Sequence, residues 1–345
     1  MNIKNIKIIC TLGPSSFSAR ILKKLKKEKI DIFRINLSHT NVTKVEKTIV
    51  YLKRNGLKNI CIDTEGAQIR TTLIKKKSIL NKNTKVKVFN DQKISSKKNI
   101  YLYPKFNLLD LKPGTIIDIG FNNLKIKVLK KDLSKNYLVC NVEKKGILES
   151  NKGVHINSNI KLPPLTEKDI YSIKLAKKYG LKHFAISFVN NSKDIEMVKK
   201  LTGKNSFIIS KIETKNAIIN LKKIANISNA LLIDRGDLSR YIPIEKIPVA
   251  QEMVIKNSIK LKIPTYVATN LLETMIKESL PTRAESHDIF SSLNQGCAGL
   301  VLAAETAIGS SPIECVKFLK RCIKNFLLIK KTKFSKMSKM KYLLN

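Results

Sequence analysis

A chain of 345 residues, 43% of them hydrophobic, has room for one large α/β barrel and a small further domain around a sizeable core. It contains no run of about 18 apolar residues that would cross a membrane, and its start, MNIKNIKIICTLG, does not read as a secretory signal, so the expected location is cytoplasmic. The net charge of +40 invites a nucleic-acid partner, but the lysines are spread along the whole length, Trp is absent and aromatics are 6%; anionic phosphate compounds are the expected partners instead.

Taken in chain order, apolar, β-rich runs alternate with longer amphipathic, Lys-rich stretches. The runs are 6–13, 31–38, 59–66, 183–189, 206–213, 230–237, 264–271 and 299–306. Near-continuous hydrophobic strands separated by helical stretches predict a parallel sheet covered by helices. Eight such units predict a (β/α)₈ TIM barrel, an α/β fold, built from 1–71 and 161–330. Between the third and fourth runs, 72–160 changes character: short alternating strands broken by Lys112-Pro113-Gly114, Gly120 and Asn122-Asn123 predict a small inserted all-β, barrel-like lid domain. Residues 331–345 read as a basic tail. The six cysteines form no CxxC pair and read as buried reduced thiols.

Barrel enzymes gather functional side chains where the strands end. Here polar residues close nearly every run: Arg34-Ile35-Asn36-Leu37-Ser38-His39, Asp63-Thr64-Glu65-Gly66, Lys211-Ile212-Glu213, Asp234-Arg235-Gly236-Asp237, Ala268-Thr269-Asn270 and Ala304-Glu305-Thr306. Side chains at i and i+2 share a face of a strand. Arg34, Asn36 and Ser38 are therefore expected to point one way together, and so are Lys211 and Glu213. Glu213 and Asp237, on neighbouring strand ends, suit Mg²⁺, which takes one or two carboxylates and fills its other positions with substrate oxygens and water. Lys211 and Arg34 add positive groups that can hold a phosphoryl group while charge redistributes. No His/Cys cluster suggests zinc, and no GxxxxGK[ST] loop suggests a P-loop kinase. The residues alone thus predict a barrel enzyme acting with Mg²⁺ on a phosphorylated or carboxylated anion. His155, His183 and His287 read as structural, and Glu65 and Asp234 as surface or rim charges.

The ordered segments CTLGPSS, FRINLSH, IDTEGAQIRT, NKGV, ISKIE, RGDL, VATNLLETM and PTRAE resemble successive motifs of the pyruvate kinase family, over roughly 7–323. The resemblance implies phosphoryl transfer from phosphoenolpyruvate to ADP, giving pyruvate and ATP. Lys211 then matches the transition-state-stabilising lysine, and Glu213 and Asp237 match the ligands of Mg²⁺ (or Mn²⁺). Gly236 and Thr269 match substrate-binding positions, with Thr269 near the point of enolpyruvate protonation, and Arg34 matches the phosphate-contacting arginine. Asn36, Ser38, Asp63 and Thr64 match K⁺ ligands; Asn36, His39, Arg70 and Lys152 match nucleotide contacts. The sequence also departs from the family pattern. Gln68 stands where the family carries Glu with K⁺ dependence or Lys without it, which leaves K⁺ dependence open. The family's ARGDLG is Asp234-Arg235-Gly236-Asp237-Leu238-Ser239 here, so Asp234 adds a charge near the metal strand. The family usually continues into a further α/β domain carrying a sugar-phosphate allosteric site. The expectation is a short form without that domain and little response to fructose 1,6-bisphosphate, with a homo-oligomer left open. Two other readings stand beside an active kinase: a related barrel enzyme using phosphoenolpyruvate or an enolpyruvate-like acid with a different acceptor, and a non-catalytic binding or regulatory protein.

Overall fold

A computed structural model describes residues 6–66, 68–120, 123–158, 160 and 162–331; the basic tail expected beyond 331, Ala67 and Asn122 lie outside the described residues. Two compact units divide the chain, one formed by 1–65 with 167–345 and the other by 66–166.

In the first unit each of the eight apolar runs holds one strand: β1 Lys7–Leu12, β2 Ile32–Asn36, β3 Ile60–Asp63, β4 His183–Ile186, β5 Phe207–Ile212, β6 Ala230–Asp234, β7 Thr265–Ala268 and β8 Gly299–Leu302. Every strand pairs in parallel with its neighbours in this series, and β1 closes on β8, with Lys7 opposite Gly299. The expected (β/α)₈ barrel is therefore present. Its helices start where short polar side chains cap them: Ser18 before Ala19–Lys27, Asn41 before Val42–Arg54, and reciprocal capping boxes Asn191/Asp194 and Thr282/Glu285.

The barrel interior is filled from all eight strands by Ile9, Ile32, Cys61, Ala185, Ile209, Ala230, Leu232, Tyr266, Ala268 and Val301. Because successive strand side chains point to opposite faces, these residues define the inward series on each strand. The residue two places further on is the next to face the axis, at the carboxyl end.

The strands are shorter than their apolar runs. The β6–β7 ladder ends at the pair Asp234–Ala268, and without a partner the chain coils into the short helix Arg235–Leu238. Asp237 thus sits in a helical turn and not on a strand end as expected. Likewise β2 stops at Asn36, and Leu37–His39 is a 3₁₀ turn in which Asn36 Oδ1 accepts from the Ser38 amide at 2.9 Å. The alternation that was expected to aim Ser38 with Arg34 and Asn36 ends before it reaches Ser38.

The second unit is the expected all-β insertion. One sheet orders Val154–Ile156, Ile116–Ile119, Leu124–Asp132, Tyr137–Lys144, Lys85–Phe89, Asn99–Tyr103 and Arg70–Thr71, and Gly146–Leu148 pairs with Ser78–Leu80. Its core is aliphatic, with Val88, Ile100, Ile126 and Leu138 fully buried. Among the described residues the cysteines are free; five are buried and Cys322 is half-buried. No helix among the described residues is long and apolar enough to cross a membrane.

Candidate active site

The inward series of the barrel ends in charge. Two residues beyond Ile32 lies Arg34, beyond Cys61 Asp63, beyond Ala185 Ser187, beyond Ile209 Lys211 and beyond Leu232 Asp234. All five are buried at the carboxyl end of the strands. Lys211 Nζ is the hub. It lies 2.8 Å from Glu213 Oε1, 3.2 Å from Asp234 Oδ2 and 3.5 Å from Asp63 Oδ1, and donates to Ser187 Oγ at 3.0 Å. Arg34 faces the other oxygen of Asp63 at 3.5 Å. Glu213 is completed by the Phe188 amide, which donates to Oε2 at 2.6 Å. Phe188 adopts φ 53° there, a left-handed conformation uncommon for a bulky side chain.

These contacts set the charge states. Burial opposes the charge on Lys211, but the carboxylates of Asp63, Glu213, Asp234 and Asp237 outweigh it and hold the ammonium well above its ordinary range. Burial pushes the Glu213 carboxyl up; Lys211 opposes this, while Asp237 and Asp234 add to the rise. Burial also opposes ionisation of Asp234, yet Lys211 and Arg34 prevail and lower it.

Glu213, Asp234 and Asp237 bring carboxylate oxygens within 4.8 Å of one another. Asp234 Oδ1 and Arg34 Nε are buried without a hydrogen-bond partner, and both Asp63 oxygens and Arg34 Nη1 have only ion-pair contacts at 3.5 Å. Buried polar atoms are ordinarily satisfied, so a convergent set that is not satisfied marks a site shaped for a ligand. The donors are hard oxygens, suited to Mg²⁺ or Mn²⁺ and not to a soft metal. The residues fit a divalent cation.

Thr269 follows β7 with φ 71°, a left-handed conformation that is a clear outlier for a β-branched residue. The surroundings enforce it. The Gly236 amide donates to Thr269 Oγ1 at 2.9 Å, and Arg235 Nε donates to the Thr269 carbonyl at 3.1 Å, as does Arg235 Nη2. Arg235 is itself anchored on Asp288 at 2.8 Å. Glu305, buried, accepts from the amides of Leu272 at 3.1 Å and Ala303 at 2.7 Å, tying the loops after β7 and β8.

The family whose sequence profile matches residues 3–316 is described as pyruvate kinase, barrel domain. The chain belongs to the pyruvate kinase family. With it, the chain falls among the phosphotransferases. A pyruvate kinase of Thermotoga maritima is 32% identical over 93% of this chain and 71% of its own length. One of Methanocaldococcus jannaschii is 32% identical over 93% of this chain and 69% of its own. A probable cytosolic pyruvate kinase isozyme of Arabidopsis thaliana is 33% identical over 92% of this chain and 67% of its own.

Of the residues singled out by the pyruvate kinase motifs, the barrel brings together Arg34, Asp63, Lys211, Glu213, Gly236, Asp237 and Thr269. Asn36 and Asp63 are register partners on β2 and β3, with Ser38 and His39 in the turn after Asn36. Thr64 is locked to Ser187, whose amide donates to Thr64 Oγ1 at 2.9 Å and whose hydroxyl donates to the Thr64 carbonyl at 2.7 Å. Arg70 and Lys152 belong to the second unit. There Arg70 bridges Gly153 and donates to the Asn151 carbonyl at 3.4 Å, while Lys152 pairs with Glu149 at 2.9 Å. Gln68, also in that unit, is buried with neither amide atom hydrogen-bonded.

Two expectations are corrected. Asp234, read as a rim charge, is 4% exposed and sits on Lys211. Glu65, read the same way, is 8% exposed and pairs with Lys168 at 2.7 Å. Asp234 follows Ile233 at the end of β6, and the strand's period carries it under cover; Glu65 lies two residues past the end of β3, where its own amide also donates to Asp169 Oδ1 at 2.7 Å. Sequence reasoning assigned no role to Ser187, Arg235 or Glu305. Counting two residues on from Ala185 would have found Ser187; Arg235 and Glu305 act on loop backbone and leave no period to read. His183 is half-buried, its ring centroid 5.4 Å from that of Phe207.

Proposed function

We propose that this chain is an active pyruvate kinase, transferring the phosphoryl group of phosphoenolpyruvate to ADP to give pyruvate and ATP. The observation that carries this reading is Lys211. A buried ammonium fixed among Asp63, Glu213 and Asp234 is a preorganised positive charge at the mouth of a barrel. Glu213 and Asp237 hold Mg²⁺ or Mn²⁺, which when bound supplies Lewis-acid charge to the phosphoryl oxygens. Arg34 contacts the phosphate and Lys211 stabilises the charge that develops as the phosphoryl group moves. Gly236 lines the substrate position, its amide fixing the Thr269 hydroxyl. Thr269, held at a strained φ, keeps its hydroxyl where the enolpyruvate takes up a proton. Asn36, Ser38, Asp63 and Thr64 offer oxygens to K⁺, and Gln68 leaves dependence on that ion to experiment. Asn36 and His39, at the end of β2, contact the nucleotide.

The test is pyruvate formation from phosphoenolpyruvate and ADP with Mg²⁺, with and without K⁺, beside Lys211→Met. Turnover in the wild type that falls by about 10²-fold or more in the variant, with modest change in KM, is expected for a charge needed mainly in the transition state. A folded wild type that binds phosphoenolpyruvate without turnover would refute the reading and favour another acceptor.

A further inference from the structure

The divalent-cation reading above uses Glu213 and Asp237, but the structure places a third carboxylate beside them. Asp234 closes β6 as the inward residue after Leu232, so strand geometry aims it along the barrel axis. It is 4% exposed. Its Oδ2 lies 3.2 Å from Lys211 Nζ, while Oδ1 is buried with no hydrogen-bond partner. That unpartnered oxygen lies 3.7 Å from where a Cβ on Gly236 would stand, so it looks towards the turn that carries Asp237. Its ligand atom falls within 4.8 Å of those of Glu213 and Asp237.

We propose that Asp234 is a third carboxylate ligand of the divalent-cation site, one oxygen engaging Lys211 and the other the ion. This rests on the assignment of Glu213 and Asp237 to that site. Mg²⁺ sites that rely on one or two carboxylates depend on substrate oxygens and water for the rest of the shell. A third carboxylate supplies the attraction from the protein alone. The consequence is a barrel that holds Mn²⁺ or Mg²⁺ before phosphoenolpyruvate arrives. A buried carboxylate oxygen without a partner is costly unless a cation or donor meets it. Lys211 answers for one oxygen of Asp234, the Asp237 backbone amide lends the carboxylate some support, and the ion answers for the other oxygen.

The experiment titrates Mn²⁺ into the full chain without substrate, reading free Mn²⁺ from its aqueous electron paramagnetic resonance signal. Wild type is compared with Asp234→Ala, Asp234→Asn and Glu213→Gln, with metal-free melting curves to establish folding. Asp234→Ala is expected to weaken Mn²⁺ binding by about tenfold or more, and Asp234→Asn, which keeps a neutral oxygen, by less. Wild-type Mn²⁺ affinity in the Asp234 variants with loss in Glu213→Gln overturns the inference, leaving Asp234 a positioning residue for Lys211 and the two-carboxylate site intact. Unchanged affinity in all three variants overturns the site assignment too. If Asp234→Ala does not fold, Asp234→Asn decides: an affinity equal to wild type refutes the proposal.

Discussion

Removing the charge of Lys211 tests the energetics of the site as well as its chemistry. In Lys211→Met, Glu213 and Asp234 lose a cation at 2.8 and 3.2 Å, and Asp63 loses one at 3.5 Å while keeping Arg34. At an effective dielectric of about 20, a unit pair near 3 Å is worth roughly 5 kcal/mol before desolvation. Desolvation offsets most of that in the intact cluster but not when one partner is deleted, so the metal-free variant should lose about 3–5 kcal/mol of stability. The deficit has a pH signature. Glu213 is already held above its ordinary range, and with Lys211 gone its folded-state pKa rises further. A carboxyl whose folded pKa is raised binds its proton more tightly when folded, so the deficit shrinks as pH falls through that value. It also has a metal signature: if the more negative cluster binds Mg²⁺ about tenfold tighter, then at the same saturating Mg²⁺ concentration the variant gains about 1.4 kcal/mol more from the ion than wild type does. Urea unfolding followed by circular dichroism, with EDTA or with Mg²⁺, reads both. A metal-free variant as stable as wild type, or one that Mg²⁺ stabilises no more than wild type, would show that the carboxylates do not depend on Lys211.

Three further outcomes follow from the surrounding shell. Arg235→Lys cannot span the Thr269 carbonyl and Asp288 at once, so kcat should fall roughly ten- to a hundredfold through misplacement of Thr269; unchanged kcat in steady-state assays refutes the clamp. Glu305→Ala strands the buried amide of Leu272 and the half-buried amide of Ala303 and should cost about 2 kcal/mol in chemical denaturation; a cost near zero would mean those amides find other partners. Burial, helped by Lys182, lowers the pKa of His183 below 6.5, so the folded state refuses a proton that the unfolded chain accepts. Stability from this residue is full above about pH 6.5 and declines below it, and His183→Phe should flatten the stability–pH slope between about pH 7 and 5. An identical slope in the variant removes His183 from the acid response.

The barrel was legible because its strands are buried on both faces and so read as unbroken apolar runs. Their ends were not, since an apolar run continues past the last ladder pair. That is why Asp237 and Ser38 turned out to lie in helical turns. Lys211, Glu213 and Arg34 were legible because strand period and family motif pointed to the same positions. Asp234 was misjudged because its charge suggested solvent, whereas the inward series that includes Leu232 dictated burial. Arg235 reaches Thr269 and Asp288, and Glu305 reaches Leu272, across 30 residues or more, and nothing local in the chain announces such partnerships.

The stacked inward series has a consequence for how this protein can change. Charge and cohesion occupy different storeys of the same strands: Ile209 and Leu232 hold the walls together, while Lys211 and Asp234, one step up, belong to the charged cluster. A substitution on the upper storey alters charge without opening a hole in the lower one. The chemistry of that floor can therefore drift while the building stands provided its charges are exchanged together, so that no buried carboxylate loses its cation.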